Sequence, residues 1–156
     1  MNEPIDQPYR PDLTGLERID GLQHQAAAFA WLKEDDVLRF VLVTSRRTGR
    51  WVFPKGTIDQ GMSPSEAAAQ EALEEAGVVG RADEIRIGHY RTVKIRPPVY
   101  WELEVALYPM RIDRILDTWE EVGQRERRLV TMEEAETLVN DHAMLAAAKG
   151  FVAPGE

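Results

Sequence analysis

Three carboxylates stand where they can act together. Glu71, Glu74 and Glu75 fall at i, i+3 and i+4, so on a helix their side chains meet on one face. The stretch from Ser63 to Ala76 carries four glutamates and neither Lys nor Arg. Like charges at i, i+4 repel by roughly 0.2–0.5 kcal/mol, and acids in a last helical turn oppose the macrodipole at ~0.3–1 kcal/mol each. A divalent cation turns that repulsion into attraction. Oxygen ligands that leave room for water and phosphate suit Mg²⁺ or Mn²⁺. Taken alone, such a face is more often plain solvated surface. A glycine-rich loop from Lys55 to Gly61 runs directly into it and changes the balance.

Basic residues gather upstream of that loop. Arg46, Arg47 and Arg50 place three guanidiniums within five residues, and Lys55 follows. Guanidinium forks match phosphate oxygens two at a time. A solvated loop balancing an acidic chain is the competing reading, and proximity to the glycine loop favours phosphate. Lys94 and Arg96, in VKIRPP, are further candidates, although a solvated hairpin tip also suits them. Glu102 and Glu104 alternate along a strand, and Glu120, Glu121 and Glu126 lie in a charged link. Each is more simply surface, and each is a candidate extra carboxylate. His24, His89 and His142 have no partner at metal-ligand spacing.

The elements that must hold these groups are readable. Ser63 is a good N-cap, Pro64 suits the first helical position, Glu66 completes a capping box, and Gly77 is a natural stop. Ala69, Ala72, Leu73 and Ala76 form a stripe of small apolar residues opposite the acids. HQAAAFAWL (24–32) and VLRFVLVT (37–44) read as strands joined by a hairpin through KEDD. Residues 51–54, 84–92 and 98–108 read as further strands, and Thr131 with Glu134 opens a second helix, interrupted near Asn140–Asp141. Residues 1–20 read as an extended arm and 21–156 as one domain. The order implies an α/β fold, a mixed sheet covered by helices on both sides.

At 156 residues with 44% hydrophobic and 29% charged side chains, a core of ordinary size is expected. The absence of cysteine excludes disulfides, thiolate nucleophiles and zinc–thiolate sites. A net charge of −8 argues against general nucleic-acid or membrane-surface binding. No stretch approaches the ~20 apolar residues of a membrane span, and the polar, Pro-rich start lacks a signal pattern, so a cytoplasmic location is expected. The sequence leaves a homodimer open.

Residues 53–78 resemble the Nudix box, G-x5-E-x7-R-E-U-x-E-E-x-G-U, with U aliphatic. Gly56, Glu71, Glu74, Glu75, Gly77 and Val78 match, and Ala72 takes the first U. Met62 stands for the early Glu and Gln70 for the Arg. The resemblance covers about residues 22–150 and implies an α/β/α sandwich. It also implies hydrolysis of a diphosphate linked to another group, with Mg²⁺ or Mn²⁺ held by Glu71, Glu75 and Glu74 and by the carbonyl of Gly56 or Lys55. Gln70 replaces an arginine that in relatives orients the catalytic glutamate, so weakened metal use is expected. RRTGRWVFPKG and WEE…RERR look similar to the diphosphoinositol polyphosphate phosphohydrolase branch, which acts on highly phosphorylated inositols and dinucleoside polyphosphates. A nucleotide sugar such as ADP-ribose, a module that binds a phosphorylated ligand without cleaving it, and a purely structural domain are the alternatives.

Overall fold

The computed structural model describes residues 11–154. The strands are β1 (Glu17–Glu34), β2 (Val37–Thr44), β3 (Trp51–Val52), β4 (Lys55–Thr57), β5 (Val78–Ala82), β6 (Gly88–Arg96), β7 (Val99–Ile115) and β8 (Arg127–Val130). The helices are α1 (Pro64–Ala76), α2 (Met132–Leu138) and α3 (His142–Ala148). All eight strands form one mixed sheet. β1 and β7 run parallel from Glu17↔Val99 to Trp31↔Arg111, with an irregularity between Ile19 and Leu22. The other pairings are antiparallel: β2 and β4 on β1, β3 and β8 on β2, β5 and β6 on β7.

The β1–β2 turn is Asp35–Asp36, both at positive φ (53° and 66°), as a two-residue hairpin of matching twist requires. Residues 25–31 of β1 are buried without interruption, so both faces of this central strand are covered. Alternation puts Phe29 and Trp31 on one face. Phe151 packs on both, with ring centroids 5.1 Å and 5.3 Å away. Phe40 and Phe53 extend that aromatic layer. The other face offers Ala28 and Ala30, side chains small enough for a helix to approach closely. They match α1, which packs against β1 with Ala67, Ala68, Ala72 and Ala76 buried.

Several sequence expectations shift. β1 begins at Glu17, so residues 17–20 of the expected arm join the sheet, while residues 1–10 lie outside the described region. The strand expected at 84–92 lies at 88–96, and β5 and β8 were not foreseen. Among the described residues no helix is long and apolar enough to cross a membrane.

Candidate active site

The acidic helix is fixed at both ends. At its start the Ser63 hydroxyl accepts from the Glu66 amide while the Glu66 carboxylate accepts from the Ser63 amide, both at 3.2 Å. At its end Gly77 turns left-handed at φ 64°, and a Cβ there would also collide with the Trp119 ring. The segment after β7 then wraps the exposed carbonyls of the last turn. The Glu121 amide donates to Glu74 O (3.1 Å), Trp119 Nε1 to Glu75 O (3.1 Å), and Arg127 Nη1 to Ala76 O (3.0 Å). The Leu116 amide reaches Gly77 O at 2.8 Å, and the Arg127 guanidinium lies 4.1 Å from the Trp119 ring centre. Arg127 thus places a cation at the negative helix terminus.

This arrangement holds Glu71 and Glu75 on one wall of an open cleft of about 570 Å³. The Glu71 carboxylate lies against Gly56 so closely that a Cβ at Gly56 would overlap it. Both oxygens of Glu75 are held: Oε1 accepts from the Lys55 amide and Oε2 from Arg125 Nη2, each at 3.1 Å. Arg125 also donates to Glu121 Oε1 and to the main-chain oxygen of Thr44, both at 3.1 Å.

Basic residues line the same cleft. Arg46, Arg47 and Arg50 come from the β2–β3 loop, Lys55 from β4 and Lys94 from β6. Every basic residue proposed for phosphate contact therefore lines the same cleft as Glu71, Glu75 and Gly56. Arg46 leans toward the acidic side, donating to Gln124 Oε1 at 3.1 Å and standing 3.5 Å from Glu121 Oε1. Lys55 Nζ donates to Gln25 Oε1 at 3.2 Å.

The electrostatics follow the packing. Burial, then the charges of Glu75 and Glu74, push the Glu71 carboxyl up to about 8. Burial pushes Glu75 upward too, opposed by the Arg125 guanidinium and the Lys55 amide. Burial holds the Lys55 ammonium below its usual range, opposed by Glu75 and reinforced by Lys94, Arg50 and Arg125. The cleft thus concentrates charge of both signs away from water.

Some expected residues lie elsewhere. Glu74 does not line the cleft. Its carboxylate takes Gln70 Nε2 at 2.6 Å, so Gln70 does not bond Glu75. Glu102 and Glu104 pair with Arg18 (3.5 Å) and Arg91 (3.3 Å) on the sheet surface, so neither supplies a carboxylate to the cluster. Of the acids in the 117–126 link, Glu121 reaches the cleft and Glu120 and Glu126 do not. None of the three histidines lines it. Arg125, Gln25, Tyr90 and Asp141 line the cleft and were not singled out from the sequence. Arg125 left one signal, its i+4 spacing from Glu121.

Among the described residues no three acidic or imidazole side chains stand close enough to enclose an ion by themselves. Glu71 and Glu75 still offer the hard oxygen donors that Mg²⁺ and Mn²⁺ take, in a cleft open enough for water and phosphate oxygens to complete the shell. The residues fit such an ion.

The NUDIX domain family model matches residues 23–153. Nudix hydrolase 4 of Arabidopsis thaliana is 28% identical over 119 residues, 76% of this chain and 56% of that protein. The chain therefore spans little more than half of that relative. Diphosphoinositol polyphosphate phosphohydrolase 2 of Rattus norvegicus is 26% identical over 137 residues, 86% of this chain and 72% of that protein. In structure the chain is similar to a C. elegans Ap4A hydrolase, with TM-score 0.60 at 18% identity over 84% of this chain and 96% of that one. It is also similar to the NUDIX domain of Shewanella oneidensis NrtR complexed with ADP ribose, with TM-score 0.62 at 12% identity over 84% and 88% of the two chains. These structural likenesses bear on the fold. The family match covers most of the chain, and Glu71, Glu75 and Gly56 share one cleft; this chain belongs to the Nudix family.

Proposed function

We propose that the chain hydrolyses a diphosphate linkage in a nucleoside polyphosphate, dinucleoside polyphosphate or diphosphoinositol-type substrate, using Mg²⁺ or Mn²⁺. One observation carries this reading: the acidic pair Glu71–Glu75 and the basic residues Arg50, Lys55 and Lys94 line one cleft. Arg46, Arg47, Arg50 and Lys94 bind and orient the phosphate chain. Glu71 and Glu75, with a main-chain oxygen of the Gly56 loop, would hold the cation. When bound, the ion supplies neutralisation of phosphate charge and activation of water. Either an α1 glutamate or Glu121 takes the proton of the attacking water. Gln70 holds Glu74 out of the cleft, so two helix glutamates do the work that the motif assigns to three.

The test is hydrolysis of a panel of nucleoside polyphosphates, dinucleoside polyphosphates, diphosphoinositols and ADP-ribose with Mg²⁺ or Mn²⁺, read as inorganic phosphate where a terminal phosphate leaves and as the two phosphorylated products where the diphosphate is internal. Hydrolysis is expected to depend on the cation and to vanish in Glu75→Gln. Loss of one charge-assisted hydrogen bond to phosphate is worth ~1.5 kcal/mol or more, so Arg50→Ala is expected to raise KM about tenfold. Arg46→Ala is expected to raise it as well. Unchanged KM in both variants removes the phosphate role of this loop.

A second reading is a module that binds a phosphorylated ligand without cleaving it. The guanidinium of Arg125 on Glu75 and the pairing of Gln70 with Glu74 favour it. Ligand binding by calorimetry with no hydrolysis product across the panel establishes that reading instead.

A further inference from the structure

Arg125 joins three segments at once. Nη2 holds Glu75 on α1, Nε holds Glu121 in the link after β7, and Nη1 holds the main-chain oxygen of Thr44 at the end of β2, all at 3.1 Å. Its side chain is only 10% exposed, and those of Glu75 and Glu121 are 9% and 14% exposed. A nearly buried guanidinium between two carboxylates is a cation that the protein carries within its own chain. It cannot be deprotonated, and its fork is pre-organised for this geometry. The other oxygen of Glu75 is taken by the Lys55 amide. Glu71 differs: its carboxylate stands against Gly56 and beside Glu75, with no hydrogen bond or ion pair to a basic side chain among the described residues.

On the hydrolase reading above, we propose that Arg125 takes the place of a metal ion. It holds the ground between Glu75 and Glu121, so that without substrate the cleft binds one divalent cation, centred on the Glu71 side, rather than several. The contacts of Arg125 support this count. A second ion would have to displace Arg125 from two carboxylates and a carbonyl. Removing the guanidinium frees the oxygens of Glu75 and Glu121 for that second ion. An Arg125→Lys variant would keep the single positive charge, carried by an ammonium in place of the guanidinium.

The experiment counts Mn²⁺ ions bound per chain by titration calorimetry on the full chain without substrate, with thermal unfolding in parallel. Wild type is expected to take one ion, Arg125→Met two, Arg125→Lys one, and Arg125→Met/Glu121→Gln one. A wild-type count of two or more overturns the proposal, and this holds even if Arg125→Met does not fold. A folded Arg125→Met that still takes one ion also overturns it, whatever its melting temperature, because Arg125 would then be a structural tie only. Wild type that binds no Mn²⁺ overturns the metal-dependent hydrolase reading together with this one. A wild type that takes two ions and hydrolyses a panel substrate leaves that reading standing and removes this proposal alone.

Discussion

At the scale of single residues, the contact between Gly56 and Glu71 makes a sharp claim. A methyl group at Gly56 would meet only the far end of a flexible glutamate, not backbone. The carboxylate can swing away at small energetic cost, but it then leaves its place. Gly56→Ala is therefore expected to keep its melting temperature within a few degrees while hydrolysis falls at least tenfold. A variant that loses both together would show that the loop itself had broken. Glu71 supports a second prediction. Its carboxyl moves from the ordinary 4.5 to about 8 in the folded protein. Between those values the folded chain holds a proton that the unfolded chain has released, so stability falls as pH rises through that window. In the presence of a chelator, Glu71→Gln is expected to flatten the decline in melting temperature between pH 5 and pH 8 and to exceed wild type at pH 8. A wild-type decline that persists in the variant would assign it to other groups. Gly56, Glu71 and Glu75 were legible because their partnership is encoded within twenty residues. Arg125 was not, because its bond to Glu75 joins positions 50 apart, and its i+4 spacing from Glu121 does not point to α1.

At the scale of elements, α1 looks unstable when read alone, with acids in its last turn and no cation near them. The fold resolves this from a distance. Arg127, Trp119 and the Glu121 amide reach the last carbonyls of α1, and Arg125 reaches Glu75 itself. Arg127 makes two hydrogen bonds, at 3.0 Å to Ala76 O and 2.7 Å to Leu116 O, and stacks on Trp119. Arg127→Ala is expected to cost about 2 kcal/mol, and so to lower the melting temperature by ~4–8 °C. A change under a degree in thermal unfolding would show that water replaces the guanidinium. The capping boxes at Ser63 and Thr131 were read from sequence because each is written in four consecutive residues. β5 (VVGRA) and β8 (RRLV) were not, since short strands with Gly or paired arginines carry no alternation to detect. EIRI at 84–87 does alternate, yet its Ile85 is 77% exposed and the pairing with β7 starts only at Gly88.

At the scale of the whole molecule, the sheet depends on parallel pairing between segments about 80 residues apart, β1 and β7. The α/β class and the mixed sheet were readable from the order of elements, but this partnership was not, because no local pattern names a distant strand. The end of the chain matters to the same core. Phe151 lies on Phe29 and Trp31 and closes one face of the central strand. Phe151→Ala is expected to destabilise by about 2–3 kcal/mol, less than a fully enclosed aromatic, since Phe151 is only half-buried. Chemical denaturation with an unchanged slope and a lower midpoint is the expected signature. The wrapping of α1 by residues 116–127 has a practical consequence for anyone transplanting the glutamate helix into another scaffold. The helix together with its glycine loop is not a portable unit. Without Trp119, Glu121, Arg125 and Arg127, a grafted copy would arrive with bare carbonyls at one end and uncompensated acids on its flank, so the smallest transferable piece includes a second stretch of chain lying some forty residues downstream.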